Sequence, residues 1–315
     1  MSLTHVLESV LALLVLGAAA WTIAARSAFA ASVGFVSYGL LLALVWVQLA
    51  AVDVALTEAA IGSGLTGVLL LGAVATLRGT EARTGRGPGL ALRITAGICC
   101  ALVSAALAAV VLTLPGTGPT LAPEAMAALP ATGVGNPVTG VLMAFRALDT
   151  LLEKVVLVLA LIGVWSLAPD RCWGGNPGLE HRLSVDGVLP FLARTLPPIG
   201  VLLGIHLMWT GADHPGGAFQ GGTVLAAMWL VVMMAGVRDA PAIREQWVRL
   251  ALVSGPIVFV AVGLAGVLTA GAFLAYPVGI AKPLILLIEV PMLLTIALAL
   301  GLLVAGPPER AADTP

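Results

Sequence analysis

Charge is scarce in this sequence. Fifteen Lys and Arg and sixteen Asp and Glu make up 10% of 315 residues, whereas a soluble domain carries about 25%, so a water-soluble globule is excluded. Cysteine is nearly absent as well: Cys99 and Cys100 adjoin within an apolar run, Cys172 stands apart, and no Cys-x-x-Cys occurs. That excludes an iron–sulfur or zinc framework, and the three thiols read as packing residues. There is no Gly-x-x-x-x-Gly-Lys-Ser/Thr loop and no dinucleotide fingerprint in a βαβ setting, so the chain has no nucleotide chemistry of its own to drive work. The expectation is a protein that is not an enzyme and holds no cofactor and no metal. A net charge of −1 argues against nucleic acid as a partner. Lys and Arg are also missing before the first apolar run, where a secretory signal needs them, so that run is expected to remain as a spanning helix.

What is present is apolar: 60% of the residues are hydrophobic and the mean hydropathy is +1.08. A bilayer core of about 30 Å needs about 20 apolar residues per helix. Nine runs qualify, over 3–25, 29–51, 56–77, 90–114, 150–168, 189–209, 219–237, 248–271 and 284–305. They are continuous and do not alternate, which excludes a β-barrel and predicts an all-α polytopic integral membrane protein. The arginines set its orientation. Arg78, Arg83, Arg86 and Arg93, then Arg171, Arg182 and Arg194, then Arg238, Arg244 and Arg249 fall in three loops on one side of a nine-helix arrangement, with Arg26 and Arg310. Only Lys282 lies opposite, which puts the N-terminus outside and the C-terminus in the cytoplasm.

The polar, glycine-rich run His206-Leu-Met-Trp-Thr-Gly-Ala-Asp-His-Pro-Gly-Gly-Ala-Phe-Gln-Gly-Gly222 separates two apolar segments. Pro215 has no N–H to donate, and Gly216, Gly217, Gly221 and Gly222 allow other backbones to approach. Such a break at membrane depth needs protein or water around it, so it is either a helix-packing site beside a hydrated path or a Gly/Pro loop at the membrane surface. The segment from Arg194-Thr-Leu-Pro-Pro-Ile-Gly through Gly222 resembles the B subunit of Mrp-type cation/proton antiporters, over about residues 185–305. Ala218 replaces a family glycine, and Ala212-Asp213-His214 stands where the family more often has a histidine directly after the first glycine.

Nearer the N-terminus, Ala51-Val-Asp-Val-Ala-Leu-Thr-Glu-Ala-Ala-Ile-Gly-Ser-Gly64 places Asp53 at the start of the third helix and Glu58 inside it. Asp53 is either a helix N-cap or an ion-path carboxylate. Glu58 is the stronger candidate for proton or ion handling. Gly62 and Gly64 offer a small-residue face for helix contact. This run resembles the D subunit of membrane-bound hydrogenases and the matching part of the large Mrp subunit.

After an expected extramembrane loop, Pro115–Pro137, the segment Asn136–Lys154 carries Arg146, Asp149 and Glu153 on one helical face with Lys154 next to it. These four form either a structural ion-pair cluster or a proton route. The segment resembles the E subunit of membrane-bound hydrogenases, with Ala144 in place of an acid and Lys154 in place of an apolar residue. Beyond Asp170–Asp186, His206 within the sixth helix is a hydrogen-bonded packing residue or a proton relay. In the last helix Lys282 can snorkel outward, and Glu289 is the better ion-path candidate.

Together the resemblances imply three units, 1–89, 90–184 and 185–315, fused in one subunit of an Mrp-type assembly in a prokaryotic cell membrane. They imply Na+/H+ exchange with large antiporter-like and small membrane subunits as partners and lipid around them. Asp53, Glu58, Arg146, Asp149, Glu153, Lys154, His206, Asp213, His214 and Glu289 are then the candidates for the path. The alternatives are a membrane subunit of a redox-driven, hydrogenase- or complex-I-like pump, a part of a cation-coupled inorganic-carbon uptake system, and a non-conducting scaffold.

Overall fold

A computed structural model describes residues 3–84, 89–114, 116, 118–178 and 187–310. Arg86, Arg182 and the boundary expected at 184/185 lie outside them. Helices stand at all nine expected places: α1 (Leu3–Ala24), α2 (Ala28–Gln48), α3 (Val52–Thr57) continuing into α4 (Thr66–Thr84), α5 (Leu90–Thr113), α8 (Ala147–Trp165), α9 (Val188–Thr210), α10 (Ala218–Met234), α11 (Gln246–Ala270) and α12 (Ala281–Ala305). Two shorter helices, α6 (Ala122–Thr132) and α7 (Pro137–Gly140), precede α8. Among the described residues seven spans are both long and apolar enough to cross a bilayer. The other two are α10, which is shorter, and α8, which carries Asp149, Glu153 and Lys154.

Three local expectations are corrected. The third helix is not regular: between α3 and α4 it widens into a π-helical stretch, Glu58–Leu65, a form that recurs at functional sites. The segment expected as the loop Pro115–Pro137 contains α6, with a proline in its first turn and Gly133 at φ 71° closing it. Its Leu129 is buried in the core. The segment expected to run unbroken from Pro137 forms α7, a π-helical turn Val141–Phe145 and a break at Arg146 (φ −131°, ψ 37°) before α8 begins.

The core forms around α12, whose Ile285, Ile288, Ile296 and Leu302 are fully buried. Helix α10 packs between α9 and α12, and α8 and α11 close the bundle. Lipid supplies no hydrophobic drive between spanning helices, so close backbone approach holds them. A Cβ on Gly221 would lie 2.3 Å from the Gly204 carbonyl oxygen of α9, and one on Gly222 2.8 Å from Ile296 of α12. Helix α2, paired with α1, packs on the π-helical stretch, and Ile61 and Leu65 of that stretch meet the core beside α10. Every residue of α5 is exposed, including Cys99 and Cys100, which are therefore not packing residues; Cys172 is buried and donates to Glu309 O.

Two clusters of connections mark the ends of the bundle. At one, β1 (Asn176–Pro177) pairs antiparallel with β2 (Pro308–Arg310), Ile243 N–H donates to Gly175 O, and Arg310 pairs with Asp239 at 2.8 Å. The α8–α9 connection, the α10–α11 loop and residues 308–310 thus share one face. At the other end, Gly135 and Asn136 donate to Ala212 O at 2.9 and 3.0 Å. This second cluster positions the polar residues.

Candidate functional site: a polar cavity joining three segments

Asp53 lies in the first turn of α3, but Ala51 is the cap residue and the carboxylate turns inward, where it is buried. Its Oδ1 accepts from Gly216 N at 2.9 Å, and its Oδ2 from Asn136 Nδ2 at 3.3 Å. Asn136 is central to this clasp. Its Oδ1 caps α7 by accepting from Val138 N, while Nδ2 also donates to the carbonyls of Gly211 and His214. Thr139 Oγ1 adds a bond to Gly211 O at 2.6 Å. The glycine break is thereby tied to α3 and α7 through the Gly216 N–H and the carbonyls of Gly211, Ala212 and His214. Gly216 has φ 151°, and a Cβ there would sit 2.5 Å from Leu207 O, so only glycine fits.

Below the clasp is a cavity of about 320 Å³ lined by Asp53, Thr57, Glu153, Lys154, Gln220 and Glu289 with apolar neighbours. Glu289 reaches it from α12, buried, with Oε1 beside Gly217. No side chain of the break caps α10, and the Glu289 carboxylate stands near the positive end of that helix. Gly217, at φ 122°, leaves room beside the Glu289 and Gln220 oxygens. Lys154 enters from α8 with its side chain 4% exposed, whereas adjacent Glu153 is 51% exposed; the two pair at 2.6 Å. The Lys154 ammonium also stands 4.6 Å over the Phe219 ring. Gln220 Nε2 donates to Thr57 Oγ1.

The remaining candidates lie elsewhere. Arg146 and Asp149 pair with each other on the exposed side of α8. His206 is exposed on α9, and His214 contributes its carbonyl to the clasp while its residue is exposed. Glu58 is half-buried at the start of the π-helical stretch and is not part of the cavity lining. Its carboxylate lies over Gly62, where a Cβ would be 2.2 Å away, and faces Gly39 of α2. Ser63 Oγ, buried nearby, has no partner among the described residues. Gly64 is exposed and meets only its own helix. Asn136, Thr139 and Phe219 escape the sequence reading; Asn136 announces itself there only as a residue before proline.

Lys282 does not snorkel away: it holds both oxygens of exposed Asp213 at 2.7 Å, beside a bond from Gly135 N. Hydrogen bonding by Lys282 foremost keeps the Asp213 carboxyl below its ordinary 3.8. A depressed folded-state value means the contribution is complete above the unfolded value and lost as pH falls through the folded one. Asp213→Asn should therefore differ in thermal stability from native by a constant, small amount from about pH 5 to about pH 8, the pair being exposed. The difference should vanish as the pH falls below about 4; melting curves across that range check it.

Fold and site define a polytopic α-helical membrane protein in which Asp53, Glu153, Lys154 and Glu289 converge on one cavity. Residues 13–79 match the family model MbhD, which describes the D subunit of MBH, and residues 188–307 match the model of a domain related to the MnhB subunit of Na+/H+ antiporter. The chain thus carries an MbhD-like part followed by an MnhB-like part. Among solved structures it is similar to a chain of the Mrp complex from Dietzia sp., at 24% identity and a TM-score of 0.73, covering 97% of this chain and 35% of that one. It is also similar to a chain of the membrane-bound sulfane sulfur reductase, an archaeal respiratory membrane complex. There the identity is 23% and the TM-score 0.56, covering 67% of this chain and 96% of the other. An uncharacterized protein of Methanocaldococcus jannaschii, MJ1307, is 26% identical over 156 residues, 45% of this chain. The chain spans 60% of that relative's length.

Proposed function

We propose that this chain is a membrane subunit of a multisubunit monovalent cation/proton antiporter, exchanging Na+ for H+ in a prokaryotic cell membrane. Its partners in this reading are large antiporter-like subunits and small membrane subunits, and it is a transporter component, not a catalyst. The observation that carries the reading is the convergence of Glu289, Lys154 and Asp53 from distant segments on one cavity, inside a bundle whose last four helices are MnhB-like. Charged groups inside a membrane bundle are costly and mark ion or proton routes. The division into units 1–89, 90–184 and 185–315 belongs to the same proposal, as do nine crossings with the β1–β2 face in the cytoplasm. Glu58, at the opening of a π-helical stretch, is its second carboxylate.

A redox-driven pump is the second reading. It is favoured by the MbhD-like part and by the likeness to a chain of a respiratory complex. Both are tested by Na+-dependent ΔpH in inverted vesicles from antiporter-deficient cells that carry the whole gene cluster. The antiporter reading expects exchange without any redox substrate, and expects Glu58→Gln to lose most of it at equal assembly. Exchange that appears only with a redox substrate would establish the second reading. Native exchange in Glu58→Gln would remove Glu58 from the path.

A further inference from the structure

The cavity already contains a cation of its own. Glu289 is buried, and its Oε2 has no hydrogen-bond partner among the described residues. An unpaired carboxylate oxygen in a cavity large enough for water is a ready acceptor for a proton donor or a cation. The other polar groups around it are engaged: Asp53 by Gly216 and Asn136, and Gln220 by Thr57. Lys154 lines the same cavity as Glu289: its stem is buried, and its ammonium bonds the exposed Glu153 and stacks over Phe219. It cannot diffuse away as a free ion would, because α8 holds it against α12.

We propose that Lys154 is a specificity-determining residue, a tethered cation that takes the place opposite Glu289 and keeps Na+ out of this cavity. Water and protons use the cavity; the metal ion takes another route. The physical basis is Coulombic. A second positive charge beside the ammonium is repelled strongly in a poorly screened interior. Without Lys154, Glu289 Oε2, Glu153 and the neighbouring carbonyl and amide oxygens would form an oxygen-lined site carrying two carboxylates. That is the chemistry a small monovalent cation accepts.

The choice of Na+ rests on the antiporter reading, but the test reads binding and not transport, so the two can fail separately. The full chain is purified from membranes and equilibrated with radiolabelled Na+. Lys154→Gln should retain one further Na+ per chain over native. Lys154→Arg, which keeps the charge, should retain no more than native. Adding Glu289→Gln to Lys154→Gln should abolish the gain. Equal retention by native and Lys154→Gln overturns the proposal, as does a gain that survives loss of Glu289. If Lys154→Gln does not assemble, Lys154→Met keeps the stem and gives the same reading; failure of both to assemble would assign Lys154 to folding and also overturn it.

Discussion

Glu289→Gln abolishes Na+-dependent proton exchange while leaving the protein folded: this is the expected result for the carboxylate that the structure places at the centre of the cavity. The expected loss is about 10²-fold or more, the order that removal of a positioned proton-transfer group costs. Glutamine has nearly the same shape and keeps a side-chain oxygen beside Gly217 at the start of α10. What disappears is the negative charge facing Lys154, which then has only the exposed Glu153 as its counter-ion. Inverted-vesicle ΔpH measures the loss, and native gel electrophoresis shows whether assembly is retained. Exchange at the native level would move the path away from α12 and leave Glu58 as the leading carboxylate.

Asp53→Ala should be the most damaging substitution for stability. The carboxylate joins α3 to Asn136 ahead of α7 and to Gly216 in the break, so one side chain ties three segments far apart in sequence. Each hydrogen bond to a charged acceptor contributes about 1.5–3 kcal/mol, and a buried N–H left without a partner adds to the loss. A destabilisation of about 3 kcal/mol or more follows, visible as a lower melting temperature of the purified chain. Asp53→Asn should fall between, because it can still accept from Gly216 N–H but sets its own amide NH2 against that of Asn136. Asp149→Ala removes an exposed pair and should melt close to native. Native-like melting of Asp53→Ala would mean that packing of the glycines, and not the carboxylate, holds the break in place.

Much of the architecture was legible because lipid imposes it. Continuous apolar runs of spanning length leave helices as the reading, and the glycine–proline break at 211–222 stood out against them. The irregular places were not legible. The π-helical stretch Glu58–Leu65 and the break at Arg146 leave no trace in hydropathy, since each alters backbone geometry without altering how apolar the segment is. Helix α6 was hidden by its prolines and short length, although Pro123 at its start and Gly133 at its end are the usual boundary residues.

The sequence by itself determined that this is a helical membrane protein, where its polar groups lie along the chain, and that its two ends carry MbhD-like and MnhB-like patterns. It could not determine which charges meet. A helix turns about 100° per residue, so Glu153 and Lys154, neighbours in sequence on one cavity, differ in exposure, 51% against 4%. Nothing in their order says that the lysine is the buried one. Only the packing of α8 against α12, and of α10 against both α9 and α12, decided that Lys154 and Glu289 share a cavity and that Asp53 closes it. Spacing along a chain fixes the phase of side chains within one helix, whereas the rotation of one helix against another is set by contacts between surfaces that belong to different segments.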